Sequence, residues 1–370
     1  MVSRVCVVST VHPYFDTRIF CRQVQTLVRA GYNVTLIAQH KKGETVDGVK
    51  VITLPKPQNR FTRILGLTWQ AFRLSYRQKA AIYHLHDPEL LVVGLLLKGL
   101  TIGKVIYDVH EDVPKQILSK EWIPRPLRRF VARGARVTEA LASLIFDGIV
   151  AATPAIAKRF PAGKTVIVQN FPILNELVSP DPTPYQNRPA KIIYVGGITV
   201  IRGIREMVQA MSLVPESLNA RLVLVGAFSP PSLEAEVRGL PGWDRIEFVG
   251  WQDRASVARL LGEARAGLVL FHPEPNHLEA QPNKLFEYMS AGLPVIASDF
   301  PLWREIVEKE RCGLLVDPLD PAAIAKVIQW ILEHPEEAEA MGRRGQKAVF
   351  ERYNWDTEAA KLIALYRRLI

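Results

Sequence analysis

Cysteine is scarce. The 370-residue chain has three, Cys6, Cys21 and Cys312, and no CxxC spacing. So few exclude a disulfide framework and a cysteine-based zinc site, and they fit a reducing compartment. Long apolar runs are also missing. The longest, Leu90 to Leu100, contains Lys98 and falls short of the roughly 18 apolar residues a membrane span needs, so a buried helix is expected there. Met1-Val2-Ser3-Arg4 runs directly into Val5-Cys6-Val7-Val8 without a small-residue cleavage pattern, so no signal peptide is expected. The absence of GxxxxGK[ST] speaks against an ATPase, and the absence of GxGxxG after the first strand speaks against a nicotinamide dehydrogenase.

What is present describes a globular chain. Hydrophobic residues make up 48% and charged residues 23%, too apolar and too evenly mixed for disorder. The length predicts about two domains. Residues 1–180 hold 25 Lys/Arg against 12 Asp/Glu, a balance of +13, and the remainder holds 22 against 25, a balance of −3. Such asymmetry points to nucleic acid, an anionic membrane surface or an acidic ligand. Nucleic acid ranks last, because no helix-turn-helix, finger or RNA-binding motif is present.

Short β-branched runs alternate with helical patterns. The first half offers strands at 4–9, 33–38, 49–54, 81–86, 104–109, 148–152 and 165–168. Near-continuous apolar runs indicate strands buried on both faces of a parallel sheet, and the intervening helices make βαβ units. Pro172, Pro180, Pro182, Pro184 and Pro189 then interrupt the pattern and predict a linker over 173–189. A second series follows at 191–195, 221–225, 245–249, 267–271, 294–297 and 313–316. The division predicts doubly wound domains over 1–172 and 190–354. An apolar stripe on 355–370 must dock somewhere, and the first domain is the expected host. Ligands in such domains bind at the carboxyl ends of the strands, here in the cleft between the two.

The segment Glu279-Ala-Gln-Pro-Asn-Lys-Leu-Phe-Glu287 opens a helix that Gly292-Leu-Pro294 ends. Its first backbone N–H groups, with Asn283 and Lys284, form an anion site. Glu287 lies one turn beyond Lys284 and is placed to accept from ribose hydroxyls, while Glu279 is placed to hold sugar hydroxyls. An ordinary helix with a Lys284–Glu287 surface pair explains the same spacing equally well.

Glu279 and Glu287 are separated by seven residues, and Pro282-Asn-Lys-Leu-Phe-Glu-Tyr-Met-Ser-Ala-Gly-Leu-Pro-Val resembles the retaining glycosyltransferases of the GT-B fold, family four. Ile193-Tyr-Val-Gly-Gly-Ile-Thr-Val-Ile-Arg-Gly203, Val249-Gly-Trp, Cys312-Gly-Leu-Leu-Val-Asp-Pro, Tyr353-Asn-Trp-Asp, His86-Asp-Pro and Tyr107-Asp-Val-His-Glu-Asp extend the resemblance over the chain. It implies two Rossmann-like α/β domains facing across a cleft and transfer from a nucleotide diphosphate sugar, UDP- or GDP-linked, with retention and no cofactor. Glu287 would bind the donor ribose and Glu279 the transferred sugar. Arg202 stands where the family has a phosphate-gripping lysine. Gly197 stands where it has an arginine, a departure that leaves one phosphate contact missing or supplied by Lys284. Gly226, Val249 and Trp251 would line the base pocket, although a packed aromatic explains Trp251 almost as well. No DxD metal signature occurs, which fits leaving-group stabilisation by cations and helix dipoles.

His110 ends a strand and by resemblance lies near the transferred sugar. His84, His86 and Asp87 end the preceding strand, and His12, Asp16 and Arg18 follow the first; of these, His12, Asp16, Arg18, His86 and Asp87 are expected on the acceptor side. A metal site of His86, Asp87 and His110 is not expected, because the spacing matches no ligand motif. Two stretches, 60–79 and 121–136, mix cations with aromatics and suggest a membrane-surface element, against the simpler reading of solvated basic helices. The expected partners are a nucleotide sugar, a sugar or lipid-linked acceptor of cell-envelope or exopolysaccharide assembly and an anionic membrane, and the expected location is the cytoplasm and the inner membrane face. A nucleotide-sugar epimerase and a catalytically silent binding protein of the same fold are the alternatives.

Overall fold

Apolar runs bounded by turns form fourteen strands among the described residues, and these strands make two separate sheets. The computed structural model describes residues 2–370 apart from Gln58, Arg60, Phe61, Glu121, Trp122 and Asn276, and apart from the side chains of Arg63, Ile64, Leu65 and Ser119. The expectations placed on Arg60, Phe61, Glu121, Trp122 and the Arg63 side chain therefore lie outside the described residues.

The chain divides into two units. Unit 1 comprises residues 1–170 and 355–370, and unit 2 comprises residues 171–354. Unit 1 carries β1 (Arg4–Pro13), β2 (Asn33–Gln39), β3 (Glu44–Val46), β4 (Val49–Leu54), β5 (Ile82–Leu85), β6 (Lys104–Val109), β7 (Gly148–Ala151) and β8 (Thr165–Ile167), in the order β3-β4-β2-β1-β5-β6-β7-β8. Unit 2 carries β9 (Lys191–Val195), β10 (Arg221–Val225), β11 (Ile246–Gly250), β12 (Ala266–Val269), β13 (Val295–Ser298) and β14 (Gly313–Val316), in the order β11-β10-β9-β12-β13-β14. Neighbours run parallel except β3 and β4. The central strands β5, β7, β12 and β13 are buried at every residue, as expected of sheets covered by helices on both faces.

The sequence patterns do not anticipate β3. Glu44-Thr45-Val46 is polar and short, but the next two residues, Asp47 and Gly48, take φ of 46° and 79°. Positive φ at both central positions makes the tight hairpin turn for which Asp-Gly is suited.

In each sheet the winding reverses once, between β1 and β5 in unit 1 and between β9 and β12 in unit 2. Diverging connections leave open space beyond the carboxyl ends of those strands. The helix Trp355–Leu369 belongs to unit 1: Trp355 Nε1 donates to Thr26 Oγ1 (2.8 Å), and Tyr366 is fully buried. The proline-rich stretch packs on unit 2, with Phe171, Leu177 and Tyr185 buried there.

Candidate active site

The winding reversal of unit 2 holds two cations. Helix Asn283–Ser290 buries Leu285, Phe286, Tyr288 and Met289. Pro282 stands at its N-cap, one position before the first turn where the sequence suggested it. Tyr288 lies against Gly267 of β12, where a Cβ would sit 2.2 Å from the ring. This packing fixes the neighbouring Lys284, whose Nζ stands 3.7 Å above the centre of the Tyr194 ring and has no hydrogen-bond partner. Arg202 approaches from the turn after β9 and donates through Nη1 to the Gly197 carbonyl oxygen (3.1 Å). A Cβ on Gly196 would lie 3.3 Å from Lys284 Nζ, and a Cβ on Gly197 would lie 3.0 Å from Arg202 Nη1. Both cations thus rest on the same pair of glycines. Acids of this region are engaged elsewhere, Glu206 with His272 (3.1 Å) and Glu287 with Arg254 (2.9 Å). Burial first, then the charge of Arg202, pushes the Lys284 ammonium well below its ordinary pKa, against a smaller opposing pull from Glu287. A buried ammonium without an acceptor is costly, and an incoming anion relieves that cost.

Glu287 is held in place by Arg254, which also binds Glu176 through two contacts of 3.1 and 2.5 Å. Burial opposes the charge on Arg254, but the two carboxylates outweigh it and raise its pKa. Glu279 is exposed in the loop before the helix, and Trp303 Nε1 donates to the adjacent Ala280 carbonyl (2.7 Å). Asn283 is half-buried at the helix start. Gly226 has φ +145°, and a Cβ there would lie 2.0 Å from the Gly196 carbonyl oxygen. Glycine is therefore required where the ends of β9 and β10 touch. Val249 is half-buried, but Trp251 is 76% exposed, so it is not a packed strand-end aromatic.

The winding reversal of unit 1 holds a polar cluster around Asp108 on β6. Its fully buried carboxylate accepts from Arg18 Nη2 (2.9 and 3.2 Å) and from Gln23 Nε2 (2.6 Å). Three imidazoles stack beside it, with centre separations of 4.6 Å (His84–His86) and 5.0 Å (His86–His110), and His12 lies tilted against His110 at 5.5 Å. His86 Nδ1 and His110 Nε2 are 3.0 Å apart, so one must donate while the other accepts. Burial keeps both neutral: it sets His86 well below its usual pKa, helped by His84, and lowers His110 to about 4. Burial works to raise the Asp108 pKa, but Arg18, then His110, hold it well below the carboxylate range. Asp87 anchors the carboxyl-terminal half of β1, accepting from Ser9 Oγ (2.9 Å) and the Thr10 N–H (2.6 Å). Asp16 lies 3.2 Å from His12 Nδ1 and raises the His12 pKa.

Two family models match the chain: "Glycosyl transferase 4-like domain" over residues 17–170 and "Glycosyl transferases group 1" over residues 189–334. The chain is a group 1 glycosyltransferase of the GT-B fold. It is 23% identical over 296 residues to an MMP alpha-(1->4)-mannosyltransferase of Mycolicibacterium hassiacum, covering 77% of this chain and 70% of that one. It is 28% identical over 183 residues to an uncharacterised glycosyltransferase of Methanocaldococcus jannaschii, covering 49% of this chain but 46% of the relative. The chain thus spans less than half the length of some curated relatives. The structure of sucrose-phosphate synthase from Thermosynechococcus elongatus superposes with a TM-score of 0.80 at 24% identity, covering 99% of both chains.

In this glycosyltransferase the structure gathers His12, Asp16, Arg18, His86, Asp87 and His110 into one cluster, and Arg202, Lys284 and Gly197 into another. Arg18 is buried and committed to Asp108, the Val168 carbonyl and Asn170. Sequence reasoning missed Asp108, Gln23, Arg254 and Glu176. Asp108 lies inside an apolar strand run, where a lone acid signals a buried partner. Arg254 and Glu176 are distant in sequence from Glu287, and nothing local marks them. Among the described residues, His84, His86 and Asp108 alone group donor atoms as a metal site does, within 4.8 Å of one another, and Arg18 already occupies that carboxylate.

Proposed function

We propose that this glycosyltransferase moves a sugar from a nucleotide diphosphate sugar, UDP- or GDP-linked, to an acceptor hydroxyl with retention of configuration. The reading rests on one observation: Lys284 and Arg202 converge on Gly196 and Gly197 at the winding reversal of unit 2, and Lys284 Nζ is buried without an acceptor. That is a site built for a diphosphate. Lys284 supplies the positive charge that Gly197 cannot. Asn283 and the first N–H groups of its helix add donors, Glu287 takes the ribose hydroxyls in the position Arg254 fixes, and Gly226, Val249 and exposed Trp251 border the base. Within unit 2 Glu279 is assigned to the transferred sugar; within unit 1 His110 is assigned the role the resemblance gives it, and His12, Asp16, Arg18, His86 and Asp87 form or support the acceptor side.

The bond from the anomeric carbon to the diphosphate oxygen breaks as the acceptor oxygen bonds to the same face of that carbon. The acceptor proton passes to the departing diphosphate, and the charge developing there is stabilised by Arg202 and Lys284. The basic N-terminal half fits an acceptor presented at the inner face of a membrane, as in cell-envelope or exopolysaccharide assembly.

A thermal-shift screen against UDP-, GDP- and ADP-sugars tests the donor, because binding stabilises the folded state by mass action. One nucleotide class should raise the melting temperature of the wild type and leave Glu287→Ala unmoved. Equal nucleotide affinity in Glu287→Ala, measured by calorimetry, removes that residue from the site. Nucleotide binding without sugar release across donors and acceptors would instead identify a silent binding protein.

A further inference from the structure

Exposed apolar surface is concentrated in unit 1. Of twenty-four large apolar side chains exposed among the described residues, five belong to unit 2. The helix Arg125–Ile145 shows the imbalance most clearly. The residues it buries include Ala132, Ala142 and Ser143, while it exposes Leu127, Phe130, Val131, Val137, Leu141 and Leu144. Leu127 lies three and four residues from Phe130 and Val131, Phe130 seven from Val137, and Val137, Leu141 and Leu144 follow at four and three, so they form one stripe along the helix. An ordinary domain helix does the reverse, burying its large apolar residues and exposing the small and polar ones.

The pattern continues onto two neighbours. Helix Leu91–Leu100 packs against helix Arg125–Ile145 and exposes Val92, Leu95, Leu96 and Leu100. Helix Thr68–Gln78 packs against Leu91–Leu100 and exposes Trp69 and Tyr76. Together the three helices carry eight Lys/Arg and a single carboxylate, Glu139. Glu139 is buried and bound to Arg159. Arg125, Arg129, Arg133 and Arg136 are exposed on the longest of the three.

We propose that this three-helix layer is the surface by which the protein docks on an anionic bilayer, with the Leu127–Leu144 stripe in the acyl boundary and the arginines among the headgroups. A protein partner needs a matched shape, whereas a bilayer needs only hydrocarbon beside cations, which is what this layer offers. Each basic residue near an anionic leaflet adds about fivefold in affinity. The sequence pointed to 60–79 and 121–136. The structure adds Leu91–Leu100 and extends the contact through Leu144, and it makes the contact apolar as well as electrostatic. The inference does not depend on the donor chemistry.

Flotation with phosphatidylcholine vesicles, with and without phosphatidylglycerol, tests it. The wild type should float with the anionic vesicles and stay behind with the neutral ones. The triple variant Phe130→Ser, Leu141→Ser, Leu144→Ser, altered only at exposed positions, should lose at least tenfold in partitioning. Arg125→Glu, Arg129→Glu, Arg133→Glu should lose about a hundredfold or more. Nucleotide thermal shifts on both variants should match the wild type, which separates failure of the surface from failure of the donor site. Unchanged flotation of the serine variant would overturn the proposal. So would a wild type that ignores anionic vesicles, or one that dimerises in solution and becomes monomeric in the serine variant.

Discussion

At the residue scale, the proposed donor site turns on the glycine pair after β9. Where the resemblance places an arginine the chain has Gly197, whose open side is taken by Arg202, while Lys284 of helix Asn283–Ser290 stands beside Gly196. Lys284 is buried and its pKa is depressed, and a bound anion pulls it back up. Nucleoside diphosphate binding should therefore take up protons as pH rises into the alkaline range, because the bound diphosphate favours the ammonium. Calorimetry in buffers of different ionisation enthalpy should show that uptake in the wild type and lose it in Lys284→Met, with affinity falling at least about tenfold. Buffer-independent heats in the wild type would refute the linkage. The motif residues were legible because helix spacing and loop position are local properties. Arg254 and Glu176 were not, since what they do to Glu287 exists only once helix Arg254–Glu263 and the proline-rich stretch are folded together.

At the scale of elements, thirteen strands could be placed from apolar runs, because strands buried on both faces have no polar alternation to blur them. The hairpin strand β3 escaped that pattern, although Asp47-Gly48 marked its turn. The apolar stripe of Trp355–Leu369 was equally clear, but a stripe does not name its host. The structure gives a polar tie as well: Tyr366 Oη and His84 Nδ1 are 2.8 Å apart, both side chains fully buried. Tyr366→Phe keeps the packing and strands the imidazole nitrogen. The expected loss of unfolding free energy is about 1–3 kcal/mol, read from urea denaturation. A loss near zero would show that His84 finds another partner.

At the scale of the whole molecule, the histidine stack should make stability depend on acidity. His110 keeps a pKa of about 4 in the fold against an ordinary 6.5, and His86 is also depressed. Between those values the unfolded chain binds protons that the folded chain refuses. Stability is then full above about pH 6.5 and falls as pH drops toward 4. His12 works in the opposite sense, since its raised pKa favours the fold at low pH, but it is one partly exposed group against two buried ones. The urea midpoint should fall between about pH 7.5 and about pH 5, and fall less in His110→Gln. A flat profile would mean the stack takes up protons without loss.

Unit 1 is discontinuous in sequence, with all of unit 2 lying between Asn170 and Trp355. During synthesis the first half emerges early but has no partner yet for the His84 nitrogen or for Thr26. Unit 2 has its whole sequence available sooner, although it begins later. The nascent first half has all eight of its strands but lacks its last helix, with its apolar helices already exposed, until residues beyond Asn354 leave the ribosome. That interval is when the chain is most open to aggregation and to chaperones. A chain halted with everything up to Asn354 emerged would hold a finished second unit and an unfinished first one.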